Sequence, residues 1–81
     1  MTPRLESVEY VSGYIVRLTF EDGTAGDVDL EGELWGEVFE PLKDHEAFRR
    51  FRLDRELNTI TWPSGADLAP ELLYARVVAG A

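Results

Sequence analysis

"YIVRLTFEDGTAGDVDL", residues 14–30, decides how this chain folds. Tyr14, Val16, Leu18 and Phe20 recur at every second position, with Ile15, Arg17 and Thr19 between them. That is the period of a β-strand with one apolar face. Asp22-Gly23 then signals a hairpin turn. A two-residue loop at Asp22-Gly23 would set Leu18 against Asp27 and Val16 against Asp29, placing carboxylates on the apolar face. A three-residue loop, Glu21-Asp22-Gly23, sets Phe20 against Thr24, Leu18 against Gly26, Val16 against Val28 and Tyr14 against Leu30. Every apolar residue then stays on one side, with Gly23 at the left-handed position of a type I turn and bulge. A slip of one residue would turn the whole apolar set to water, so the second register is expected.

Outward from this hairpin, Leu5 to Val11 is another β-type run, broken by Ser12-Gly13. In "EGELWGEVFEPLKD" (31–44), Gly32, Gly36 and Pro41 interrupt any long element. Leu34, Trp35, Val38, Phe39 and Leu42 are expected to fold over the sheet as loop or short helix. Asp44 is the expected N-cap of a helix from His45 to about Phe51, with Glu46 in its first turn and Arg49 and Arg50 in its last, matching the helix dipole. "RLDRELNTITW" (52–62) reads as a strand, a polar turn and a strand with Ile60 and Trp62 facing inward. "PELLYARVVAG" (70–80) reads as a helix with Pro70 first and Gly80 past its end. The pattern predicts a single domain, residues 1–81, of the α+β class in the order β-β-β-α-β-β-α. It would be a mainly antiparallel sheet of about five strands with two helices on one face.

Composition narrows the function. The apolar fraction is 44%, with four Phe, three Tyr and two Trp, enough for a real core. No apolar run approaches the roughly 20 residues of a membrane span, and "MTPRLESVEY" lacks the apolar segment of a signal peptide. With no cysteine there are no disulfides or zinc thiolates, so a cytoplasmic setting is expected. The net charge is −8, and between Glu21 and Glu46 the only basic residue is Lys43. Arg49, Arg50, Arg52 and Arg55 form a separate basic cluster, read as helix-end and strand-edge charges or as a patch for an acidic partner. So negative a chain is repelled by nucleic acid backbones, and nucleic acid binding on its own is not expected.

The sharpest apparent motif is Asp27-Val28-Asp29-Leu30-Glu31-Gly32, which imitates the start of an EF-hand loop. Its twelfth position is Val38 rather than the bidentate glutamate, and the preceding residues are strand-like. At strand period Asp27, Asp29, Glu31 and Glu33 form a solvated face, with Val28 and Leu30 inward. No metal or cofactor is expected. His45 is the single histidine, and Ser64 has no nucleophile-elbow pattern around it, so no catalytic set is assigned. Trp62 alternates with Ile60 as a core residue should. Trp35 sits before Gly36 in an acidic stretch, where an exposed aromatic can anchor a partner.

"TITWPSGADLAPELLY" (59–74), together with "LTFEDGTAGDVDL" and "GEVFEPLKDHEAFRRF", resembles a family of short bacterial proteins known as domain of unknown function 2442. The resemblance covers nearly the whole chain. It implies a small α+β domain with no established catalytic residues. Some members precede a helix-turn-helix domain, and standalone members are suspected to take part in toxin–antitoxin pairs. This chain ends at Ala81 without a DNA-binding domain, so a repressor role is not expected. Ala69 stands where a capping Ser or Asp would be usual, so the last helix is expected to lean on Asp67 or water. Within the same stretch Pro63 ends a strand, Gly65 permits a turn and Pro70 preorganises the helix.

The expected function is a non-catalytic, acidic protein-interaction module, antitoxin-like in the sense of neutralising a small, basic protein partner. Its candidate surface is Trp35, Asp27, Asp29, Glu31, Glu33 and Glu37. The alternative is a small-molecule or metal-sensing domain using the loop Trp62, Ser64 and Asp67. A homodimer through an edge strand or Trp35 is compatible with either.

Overall fold

The computed structural model describes residues 2–80. The hairpin closes in the three-residue-loop register: β2 (Ile15–Phe20) pairs antiparallel with β3 (Ala25–Asp29), with Val16 opposite Val28 and Leu18 opposite Gly26. The Phe20 amide donates to the Thr24 carbonyl at 2.8 Å, and Gly23 takes φ +90°. β1 (Leu5–Ser12) pairs on the other side of β2, giving the order β1-β2-β3. Val16, Leu18, Phe20, Val28 and Leu30 are all buried, so the alternation read from the sequence is the alternation of the fold.

Both helices cover this apolar face. α1 (His45–Phe48) sets Phe48 edge-on against Tyr14, ring centroids 5.3 Å apart. α2 (Pro70–Ala79) sets Tyr74 against Phe20 at 5.0 Å. A methyl group at Gly26 would meet a Val77 methyl at 3.4 Å, so α2 lies close on β3. α1 is shorter than the sequence predicts. The chain must be extended by Arg52 to form β4 (Arg52–Asp54), which pairs with β5 (Thr59–Thr61), so Arg49 and Arg50 lie beyond the helix. Asp44 holds the extended N-cap backbone (ψ 122°), but its side chain makes no capping bond. No helix among the described residues is long and apolar enough to cross a membrane.

The five strands make two antiparallel sheets, β1-β2-β3 and β4-β5, rather than one. Asn58 lies at their junction. A register shift between Leu5 and Ser7 bends the start of β1, and the Leu5 amide donates to Asn58 Oδ1 at 2.7 Å. Asn58 Nδ2 donates to the Pro3 carbonyl at 3.2 Å, and Arg4 Nη2 to the Arg55 carbonyl at 2.9 Å. The β4–β5 turn thus meets β1 through side chains, and no ladder joins the two sheets.

The loop after Trp62 is a second copy of the first turn. Trp62 donates its amide to Ala66 at 3.0 Å and Gly65 donates to Trp62 at 2.9 Å, with Gly65 at φ +93°. Residues 66–68 then run back beside β5, where Thr61 bridges Asp67. Ala66 and Leu68 are buried and Asp67 is exposed, the alternation of a strand. Asp67 therefore points to solvent and does not cap α2, whose start has no side-chain cap.

Asp22 ties the first turn to α2. Its Oδ1 accepts the Thr24 amide at 2.9 Å and its Oδ2 accepts the Tyr74 hydroxyl at 2.7 Å. The Tyr74 bond, then the Thr24 amide, hold its carboxyl below the usual carboxylate range. A depressed folded-state pKa gives stability that is present above the usual range and disappears as pH falls through the depressed value. Asp22→Asn and Tyr74→Phe should accordingly lower the urea midpoint at pH 7, and the difference from wild type should shrink as the pH is lowered below the usual carboxylate range. A loss that stays the same as the pH is lowered would remove the carboxylate from the explanation.

Candidate functional site

The acidic middle of the chain is pinned at intervals to the core. β3 ends at Asp29, whose Oδ1 accepts the Glu31 amide at 3.0 Å and turns the chain into a short 3-10 helix, Glu31–Glu33. Leu30 and Leu34 are buried on either side of it. Farther on, Phe39 packs edge-on against Trp62 at 6.4 Å, and the 3-10 helix Glu40–Lys43 buries Leu42. The Tyr14 hydroxyl donates to the Lys43 carbonyl. Between Leu34 and Phe39 the tip Trp35-Gly36-Glu37-Val38 has no such anchor. Trp35 is 73% exposed and Val38 48%, whereas Trp62 is 3% exposed.

Two expectations change here. Trp35 and Val38 do not fold over the sheet with Leu34 and Leu42: the latter pair is buried, and the tip between Leu34 and Phe39 stands out into solvent. Glu33 does not stand on an exposed ladder. β3 has ended, and Glu33 turns inward to an ion pair with Arg76 of α2, only 17% of its side chain remaining exposed. Nothing local in the sequence marks that pairing, since the partners are 43 residues apart. Glu31 and Glu37 are exposed, as are Asp27 and Asp29.

Asp27 and Asp29 lie on the outer face of β3, with Val28 and Leu30 turned inward. Asp27 Oδ1 lies 3.0 Å from Arg17 Nε across the strand pair. The acids of the EF-hand-like run do not converge on a point: one faces Arg17 and the next holds its own turn.

The loop alternative is not gathered into one surface. The Trp62 indole is buried and donates to the Phe48 carbonyl at 2.8 Å, while Ser64 and Asp67 are exposed on the outer side of the turn. His45 stacks edge-on against Tyr14 at 4.6 Å and is exposed. Arg49 lies over the Tyr10 ring at 4.7 Å, and among the described residues Arg49, Arg50, Arg52 and Arg55 enter no ion pair.

A family model described as protein of unknown function (DUF2442) matches residues 5–79. The chain belongs to this family. As a DUF2442 protein it spans the matched region from the first residue of β1 to the last of α2. Comparisons with the curated proteins and with the solved structures returned no match.

Proposed function

We propose that this DUF2442 chain is a non-catalytic protein-interaction module that holds a small, basic protein partner through Trp35 and the acids around it. In biological terms this is an antitoxin-like role in the bacterial cytoplasm. The reading is carried by one observation: a tryptophan left 73% exposed in a domain that buries its other tryptophan. Burying a large apolar side chain gains roughly 1.5–3 kcal/mol, and that gain is unused at Trp35 until a partner covers it. Tryptophan is also among the residues most enriched at interface hot spots.

The charge around the tip supports a basic partner. Glu31, Glu37 and Glu40 are exposed, and of these, among the described residues, only Glu40 pairs with a cation, Lys43 at 3.3 Å. Complementary charge of this kind speeds encounter and selects the partner more than it adds affinity. The chemistry-bearing side chains favour no reaction: His45 packs against Tyr14, and Ser64 and Asp67 face water apart from it.

The test is capture from the native host with tagged wild type and Trp35→Ala, followed by titration calorimetry with the identified partner. The expected result is an equimolar complex with a small, positively charged protein. Trp35→Ala should weaken it by roughly tenfold or more. The unfolding free energy of that variant should stay within about 0.5 kcal/mol of wild type, because an exposed side chain is removed. An acidic partner, or one held equally well by the alanine variant, would count against the proposal.

A further inference from the structure

The edge of β3 carries a second determinant. In the β2–β3 pair, the Phe20 amide reaches the Thr24 carbonyl and the Leu30 amide reaches the Tyr14 carbonyl at 2.9 Å. Antiparallel ladders alternate, so the backbone groups of Gly26 and Val28 face β2. Those of Ala25, Asp27 and Asp29 face the opposite way. Among the described residues no strand neighbours β3 on that side. Among the described residues no turn, loop or side-chain hydrogen bond uses these groups either. The edge is open at three consecutive outward positions.

The side chains beside those groups specify what fits. Glu9, Arg17 and Asp27 stand in one row across the three strands on the solvent face, in the order minus, plus, minus. A fourth strand would continue the row with a cation opposite Asp27. Asp29, two residues along on the same face, asks for another, and Ala25 leaves room for a small polar residue. Opposite charges directly across a strand pair stabilise by about 0.2–1 kcal/mol, and like charges destabilise. A second copy of this chain pairing β3 with β3 about Asp27 would set carboxylate against carboxylate, so the edge discriminates against itself.

We propose that the β3 edge receives an extended segment of the basic partner as an added strand, with Lys or Arg at alternate positions facing Asp27 and Asp29. The proposal rests on the interaction-module reading and specifies how the partner is gripped: backbone hydrogen bonds supply the hold and the two acids supply the choice. The edge and the Trp35 tip lie on one continuous stretch, joined through the Glu31–Glu33 turn.

The probe is a short synthetic peptide of alternating lysine and threonine, added to the full chain while amide hydrogen exchange is followed by NMR. The amides of Asp27 and Asp29 should exchange freely in the free protein and slow by roughly tenfold or more when the peptide saturates it. The Asp27→Asn, Asp29→Asn double variant should bind several-fold more weakly. A peptide of the same charge, N-methylated at alternate residues, should give no protection. Equal binding of the N-methylated peptide, or binding that leaves both amides unprotected, overturns the strand-addition proposal, as does failure of the lysine peptide to bind. Protection of these amides in a free protein of dimeric mass would assign the edge to a second copy and overturn it too. The peptide contains no pocket for Trp35, so Trp35→Ala should leave its effect unchanged. Loss of the native partner on Trp35→Ala with an unprotected edge removes strand addition and keeps the module reading, and a protected edge with no native partner does the reverse.

Discussion

Replacing Phe48 by alanine is expected to cost about 3–5 kcal/mol of folding free energy, a large share of what a small domain holds. Phe48 is fully buried, although it sits on a helix of four residues. A helix that short has no stability of its own in water. It is held by a ring of aromatic side chains instead. Phe48 meets Tyr10 at 6.4 Å, Tyr14 at 5.3 Å, Phe51 at 6.1 Å and Trp62 at 5.9 Å. Its carbonyl also receives the buried Trp62 indole N–H. The residue therefore joins β1, the β1–β2 turn, the start of β4 and the end of β5, and the cavity left by alanine would open among all of them. Trp62→Phe should cost less, about 1–3 kcal/mol, chiefly from the Phe48 carbonyl left without its donor. Urea denaturation of the two variants checks the ranking. A Phe48→Ala loss below about 1 kcal/mol would mean the surroundings collapse onto the gap, and the aromatic ring would not be the junction described.

What the sequence made legible follows from range. The register of residues 14–30 was readable because period-two alternation and a three-residue loop are local, and both hairpin faces had to agree. The turn at Trp62 carries the same signal, an aromatic followed by two residues and a glycine, as in Phe20-Glu21-Asp22-Gly23. It reads as a strand-to-helix junction instead because Pro63 and Pro70 draw the eye to the helix. The price of that reading is Asp67, expected at the helix start and found on a strand-like run beside β5. The short α1 also escaped, since Glu46, Arg49 and Arg50 suit a longer helix and only the pairing of Arg52 with Thr61 cuts it short.

The candidate surface divides in the same way. Asp27, Asp29 and the inward Val28 and Leu30 were legible from alternation. Trp35 was legible only as a choice between a lid on the core and an exposed anchor, and its 73% exposure decides for the second. The exposure of Val38 was not legible, because an apolar residue at that spacing reads equally well as core. Glu33 could not be placed, since its position depends on Arg76 in α2. The division into two sheets was equally hidden, because the side chain that links β1 to the second sheet lies far along the chain.

That side chain is Asn58, and removing it should have the second-largest effect on stability. Asn58 takes φ +57°, a left-handed conformation that costs most residues about 1–2 kcal/mol and that asparagine tolerates better. Asp54 Oδ1 shapes the turn leading to it by accepting the Glu56 and Leu57 amides at 2.9 and 3.0 Å. Asn58→Ala should cost about 2–3 kcal/mol: roughly 1 from the backbone and about 1 for each lost bond to Leu5 and Pro3. Asn58→Gly relieves the backbone and not the bonds, so it should cost about 1–2 kcal/mol. Equal losses for the two variants would mean the left-handed backbone contributes nothing, and a glycine variant as stable as wild type would mean the clamp is idle. Amide exchange separates local from global effects. With the clamp intact, Leu5 should exchange along with Val16 in the centre of β2, because the start of β1 opens only when the domain does. In Asn58→Gly, Leu5 should exchange well ahead of Val16, since the bond from the Leu5 amide to Asn58 is what ties the start of β1 to the second sheet.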